Sequence, residues 1–155
     1  MKVVTAKEMA RIEQLAYQHG ANEEEFMNQA GVGIAELIQQ CVARYHLKPK
    51  IMLLCGRGNN GGDAYVAGKE LLSGGFEVHA TALAPQKECS PLCQLQIKRF
   101  MEAGGEINFV DKAGEISFDD AELLVDGILG TGFLILGVIR LEKQVETRQM
   151  CVQRL

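Results

Sequence analysis

A doubly wound α/β sheet with mainly parallel strands, preceded by two helices, is the fold this sequence predicts. Three observations carry that expectation. Beyond residue 50, short continuous apolar runs alternate with segments of helical period, as strands linked by crossover helices do. The first such run, KIMLLC at 50–55, is apolar almost throughout rather than alternating, as suits a strand covered on both faces. It then meets glycine at once, in CGRGNNGGDAYVAG at 55–68. A glycine-rich strand end that runs into a helix is where open α/β sheets hold ligands.

The elements follow in order. Thr5 with Glu8 three residues later makes a capping box, and Met9, Ile12, Leu15 and Ala16 continue at helical spacing, which predicts a helix over about 6–19. Asn22 then opens NEEE, and Phe26, Met27, Ala30, Ile34, Leu37, Ile38 and Cys41 recur every three or four residues. That predicts a second helix over about 23–45. The strand at 50–55 comes next. GDAYVAGKELLSGG returns to helical spacing and stops at Gly74 and Gly75. FEVHATALA, 76–84, alternates as a strand does. SPLCQLQIKRFMEAGG, 90–105, is a helix with Ser90 as its cap and Pro91 at its first position. EINFV is a short strand, and AELLVDGILG, 121–130, another apolar one ending in glycine. Residues 1–155 are read as one domain, a length able to bury its own core.

Composition excludes several classes of function. The net charge of −4 argues against a nucleic-acid partner, whose phosphates favour a basic footprint. No apolar run reaches the ~18 residues of a membrane span. The opening MKVVTAKEMARIE lacks a signal-peptide core, so a cytoplasmic protein is expected. Five cysteines, an odd number, suit reduced thiols. Cys89 and Cys93 lack a second pair or a nearby histidine, which favours two thiols on adjacent turns of one helix over a zinc site. His19, His46 and His79 are scattered, without metal or triad spacing.

Two segments bring glycine to the ligand edge, CGRGNNGGD and DGILGTG. Both can bring backbone N–H groups to an anion, and the helix after the first adds positive potential. The lysine of a P-loop is missing, and the G-x-G-x-x-G match at Gly56, Gly58 and Gly61 is weak by itself. Asn59, Asn60 and Asp63 are more unusual: oxygen acceptors beside a buried strand suit a sugar hydroxyl or a hard cation. Asp126 stands near the end of the apolar strand, where a carboxylate is costly unless paired. Two roles are open to it. It caps the following turn, or it faces the same cation as Asn60.

At these residues the chain resembles a known family. GRGNNGGDAYVAG, VDGILGTGF and the EEFMNQAG of the second helix are similar to the NAD(P)H-hydrate epimerase family, of the YjeF N-terminal domain type, over about residues 1–133. The resemblance implies a three-layer Rossmann-like fold, often a homodimer. It implies interconversion of the R and S forms of hydrated NADH and NADPH (NAD(P)HX), with a separate ATP- or ADP-dependent dehydratase repairing the S form. It implies substrate contacts from Asn59, Asn60, Gly61, Gly62 and Asp63, and from Gly130, Thr131 and Gly132. It implies a potassium ion held by Asn60 and Asp126. The catalytic acid or base is not assigned; Asp63 and Asp126 are the carboxylates of the matching motifs.

Two departures stand out. Ala64 follows Asp63 where the family carries glycine, a change that favours helix and is expected to do little harm. After GTGF the chain reads LILGVIRLEKQVETRQMCVQRL, and the family's I-D-x-P-S-G segment, which contacts substrate and ion, does not occur in the 155 residues. Residues 134–155 are therefore expected to be divergent. The explanations are a shifted reading frame near residue 133, a truncated paralogue that binds without catalysis, or catalysis by other residues. On its own pattern the tail gives an apolar cluster from Leu134 to Leu141, then a last helix with Leu141, Val145, Val152 and Leu155 on one face. The expected function is epimerisation, impaired if the missing segment is required. The alternative is a non-catalytic dinucleotide-binding or protein-interaction module.

Overall fold

The computed structural model describes residues 4–118, 121–129 and 138–140. Its elements are α1 (Ala6–Gln18), α2 (Glu23–Tyr45), β1 (Lys50–Cys55), α3 (Asn59–Ser73), β2 (Glu77–Ala82), α4 (Pro91–Glu102), β3 (Glu106–Phe109), β4 (Leu123–Gly127) and β5 (Val138–Arg140). The strands form one sheet in the order β3-β2-β1-β4-β5. The pairs β1–β2, β1–β4 and β2–β3 are parallel, and β5 joins β4 antiparallel. The order 3-2-1-4 is that of a Rossmann-like doubly wound sheet, as the alternation of elements predicts. The expected last helix and most of the expected apolar cluster lie outside the described residues.

Caps fix the helix starts. The Thr5 N–H donates to Glu8 Oε2 at 2.9 Å while the Glu8 N–H donates to Thr5 Oγ1 at 3.2 Å, the reciprocal pair its sequence predicts. Asn22 Oδ1 accepts from the Glu24 N–H at 2.8 Å, and Ser90 Oγ accepts from the Cys93 N–H at 3.3 Å.

Strand alternation sorts the core onto two faces. Ile51, Leu53 and Cys55 of β1, with Val78, Ala80, Leu123 and Val125, pack with Ile34 and Ile38 of α2, Leu71 of α3 and Ile97 and Phe100 of α4. Met52, Leu54 and Leu124 face the other way and pack with Ala121, Ile116 and Ile128. Helix α2 crosses α3 at close range because Gly31 has no side chain: a Cβ there would overlap Val66 and lie 2.9 Å from the Asp63 carbonyl. In contrast, the apolar stripe of α1 stays largely in solvent among the described residues, with Ile12 51% exposed. Tyr17 anchors the end of that helix edge-on to Phe26, 5.8 Å between ring centres.

Candidate active site at the joined strand ends

The two glycine segments meet. Strands β1 and β4 lie side by side with Leu54 opposite Asp126 and Cys55 opposite Gly127. The Gly56 N–H donates to the Gly127 carbonyl at 3.0 Å. A Cβ at Gly56 would overlap the Ile128 carbonyl, and one at Gly127 would sit 2.7 Å from the Ala64 Cβ and 3.2 Å from the Asn60 carbonyl. Glycine is therefore required on both sides of the join for backbone to touch backbone.

The N-N-G-G-D stretch is not a loop preceding a helix. Helix α3 begins at Asn59, so Asn59 to Asp63 are its first five residues, with Asp63 just past the first turn. Gly61 and Gly62 serve packing there. A Cβ at Gly61 would overlap the Gly56 carbonyl, and one at Gly62 would lie 2.6 Å from Met27 Cε. Gly58 is the N-cap and offers no side-chain oxygen. Among the described residues the first N–H groups of α3 therefore have no side-chain cap from the N-cap position, an arrangement that suits an anion-binding helix start.

A cavity of about 360 Å³ opens at this point. Asn59, Asn60 and Asp63 of α3 form one wall, Ile128 of the second segment another, and Tyr17, Phe26 and Met27 of the N-terminal helices close it, with Glu13 and Glu23 at hand. The three sequence-predicted polar residues thus share one cavity. Burial, reinforced by the nearby Glu13, pushes the Asp63 carboxyl up to about 7. Burial first, then Glu13, Glu23 and Asp63, raise the Tyr17 phenol as well. Among the described residues that line the cavity there is no Lys or Arg, so nothing there offsets the burial that makes Asp63 hold its proton.

Asn60 Nδ2 is buried and finds no hydrogen-bond partner among the described residues, an uncommon state for a buried amide. Asp126 Oδ1 accepts from the Ile128 N–H at 2.9 Å. The turn-capping role for Asp126 is therefore real, and it uses only part of the capacity of a carboxylate. Asn60 and Asp126 stand on adjoining elements, and their side chains offer oxygen donors of the kind a hard monovalent cation takes. No group of three His, Cys, Asp or Glu suited to a metal occurs among the described residues. Gly130, Thr131 and Gly132 lie outside the described residues.

The thiols lie behind the first glycine segment. Cys55, Cys89 and Cys93 are buried and form no disulfide among the described residues. Cys89 does not share a helix with Cys93: it ends a 3-10 turn, Gln86–Glu88, whereas Cys93 lies in the first turn of α4. Pro91 at the first helical position explains the break, since the residue before proline is driven to extended backbone. Cys93 Sγ donates to the Gly56 carbonyl at 3.9 Å, and burial, with Cys89 beside it, pushes the Cys93 thiol up to about 12.

Fold and cavity together define the class. This is a Rossmann-like α/β protein with a polar cavity at the carboxyl ends of two adjacent parallel strands. The chain belongs to the family described as YjeF-related protein N-terminus, whose profile matches residues 23–144. It is 31% identical over 140 residues to an NAD(P)H-hydrate epimerase of Elusimicrobium minutum, covering 86% of this chain and 62% of that protein. It is 36% identical over 107 residues to an NAD(P)H-hydrate epimerase of Rhodopirellula baltica, covering 68% and 42%. A bifunctional NAD(P)H-hydrate repair enzyme of Moorella thermoacetica is 30% identical over 139 residues, covering 86% and 26%. A yeast crystal structure superposes with a TM-score of 0.70 at 22% identity, over 86% of this chain and 59% of the yeast chain, and supports the fold. This chain spans less than two thirds of the length of each of these proteins. Among the described residues no helix is long and apolar enough to cross a membrane.

Sequence reasoning missed Tyr17, Glu13 and Glu23 as cavity residues. Nothing in their local spacing marks them, because they reach the site only through the packing of α1 and α2. Phe26 and Met27 carried a weak signal, in the EEFMNQAG segment.

Proposed function

We propose that this chain binds hydrated NADH or NADPH at the joined strand ends and interconverts its R and S forms. One observation carries the reading: Asp63, a carboxyl held near pH 7, lies in the same cavity as the unsatisfied Asn60 amide. Epimerisation of a hydrated pyridine ring calls for a group that gives and takes a proton near neutrality, and a pKa near the working pH suits that task. Asp63 meets the requirement better than Asp126, one oxygen of which is tied to the Ile128 N–H. The uncapped start of α3 serves the pyrophosphate. Asn60 and Asp126 would hold a potassium ion, whose charge offsets phosphate and carboxylates when bound. Gly61 and Gly62 support the cavity from behind by packing α3 against Gly56 and Met27, and Gly130, Thr131 and Gly132 would extend the substrate contacts.

The product would pass to an ATP- or ADP-dependent dehydratase specific for the S form, and a homodimer in the cytoplasm is the expected working state. The second reading is binding at the same cavity without turnover. The test is a coupled assay. Folded protein receives R-NADHX with an S-specific dehydratase and ATP, in potassium and then in sodium buffer. NADH formed faster than in a protein-free control, and faster in potassium, supports the epimerase. A rate equal to the control, with NADHX still bound, moves the chain to the binding module.

A further inference from the structure

We propose that Ser90 is a positioning residue for the substrate-binding turn, fixing the carboxamide of Asn59 so that its NH2 group is the end left for ligand. The inference rests on the reading of the cavity as a dinucleotide site. Ser90 lies 31 residues from Asn59 in sequence, yet its Oγ donates to Asn59 Oδ1 at 3.2 Å. The same Oγ accepts from the Cys93 N–H at 3.3 Å, which caps α4. The Ser90 N–H donates to the Arg57 carbonyl at 2.8 Å. With Cys93 Sγ on the Gly56 carbonyl, the start of α4 grips the glycine segment at Gly56, Arg57 and Asn59.

A carboxamide has an accepting and a donating end, and an exposed one turns freely between them. A serine hydroxyl has one hydrogen. With its oxygen already accepting from the Cys93 N–H, the hydroxyl gives that hydrogen to Oδ1, which favours the orientation in which Nδ2 is the free end. Asn59 lines the 360 Å³ cavity and also a neighbouring one of about 420 Å³, formed with Asn22, Ser90, Leu92 and Leu95. It therefore stands at the boundary between the two, with Glu23. A donor at that boundary, beside the uncapped N–H groups of α3, suits an anionic bridge such as the pyrophosphate of a dinucleotide. An oxygen there would add to the acceptors already supplied by Glu23 and Asp63.

Three full-length proteins test this: wild type, Ser90→Gly and Ser90→Thr. Glycine caps a helix nearly as well as serine but has no hydroxyl, so Ser90→Gly separates the two roles. Its melting temperature is expected to stay within about 2 °C of wild type. Its KM for R-NADHX is expected to rise about tenfold with kcat within twofold, as loss of an oriented hydrogen bond predicts. Ser90→Thr restores KM. The free protein gives a second readout: the heteronuclear NOE of the Asn59 side-chain amide, assigned by its loss in Asn59→Asp, falls in Ser90→Gly and not in Ser90→Thr. An unchanged KM in Ser90→Gly, an unchanged NOE, or failure of threonine to rescue overturns the proposal. If the wild type does not turn over R-NADHX, the functional reading fails, and the NOE comparison alone decides whether Ser90 orients Asn59.

Discussion

Replacing Asp63 by asparagine is expected to stabilise the protein at pH 8 and to change little near pH 4. The two side chains have the same shape, so the difference isolates the charge. In the folded chain the carboxyl holds its proton up to about pH 7, against an ordinary aspartate value of 3.8. Between those two values the folded chain keeps a proton that the unfolded chain has lost. Stability therefore falls as pH rises from about 4 to about 7, and the loss is complete above 7. A gap of roughly three pH units at about 1.4 kcal/mol each would set a ceiling near 4 kcal/mol. Solvent lowers it, because the side chain lines an open cavity where water screens its charge. A gain of about 1–2 kcal/mol at pH 8 remains, or roughly 2–8 °C in melting temperature for a chain of this size. Thermal melts of both proteins at pH 4, 6 and 8 measure it. A difference that is the same at pH 4 and pH 8, or a loss at pH 8, would refute the assignment of a strained carboxyl. Epimerase activity, if present, should fall in the same variant, since a group suited to proton transfer has been removed.

Other predictions follow from single contacts. Gly61→Ala places a Cβ on the Gly56 carbonyl; it should lose about 2 kcal/mol in urea unfolding despite its better helix propensity, whereas Gly58→Ser, with open space around it, should be tolerated. Gln96 is 1% exposed and both its side-chain polar atoms lack a hydrogen-bond partner among the described residues; Gln96→Leu should stabilise by about 1–2 kcal/mol, and destabilisation would reveal a bonded amide. Asp126→Asn keeps an acceptor for the Ile128 N–H but removes the charge, so it should retain the melting temperature and lose potassium dependence. Asp126→Ala should lose both.

Much of the architecture was legible because it follows from local patterns. The capping residues Thr5, Asn22 and Ser90 start the helices where expected, and KIMLLC is the central strand. The meeting of the two glycine segments was legible too, since parallel strands bring their carboxyl ends to one edge. The purpose of individual glycines was not. Gly61 and Gly62 look like ligand glycines in sequence, but the first yields to the Gly56 carbonyl and the second to Met27. The helical state of Asn59 and Asn60 was hidden for a related reason, as tertiary packing overrides the turn preference of an N-N-G-G run. Asp126 could not be resolved between cap and ion ligand, because the hydrogen bond to Ile128 depends on a backbone turn that spacing does not reveal. Tyr17 and Glu13 reach the cavity through helix packing alone, a long-range fact with no local trace.

The central claim is that the joined ends of β1 and β4 form a dinucleotide site. Titration of 15N-labelled protein with NADHX in potassium buffer, followed by amide chemical shifts, tests it most directly. The account predicts that the largest shifts fall on the N–H groups of Gly58, Asn59, Asn60, Gly61 and Ile128, and that they saturate. Shifts concentrated on the β3 edge, Glu106–Phe109, or no saturable shifts at millimolar NADHX, would contradict it.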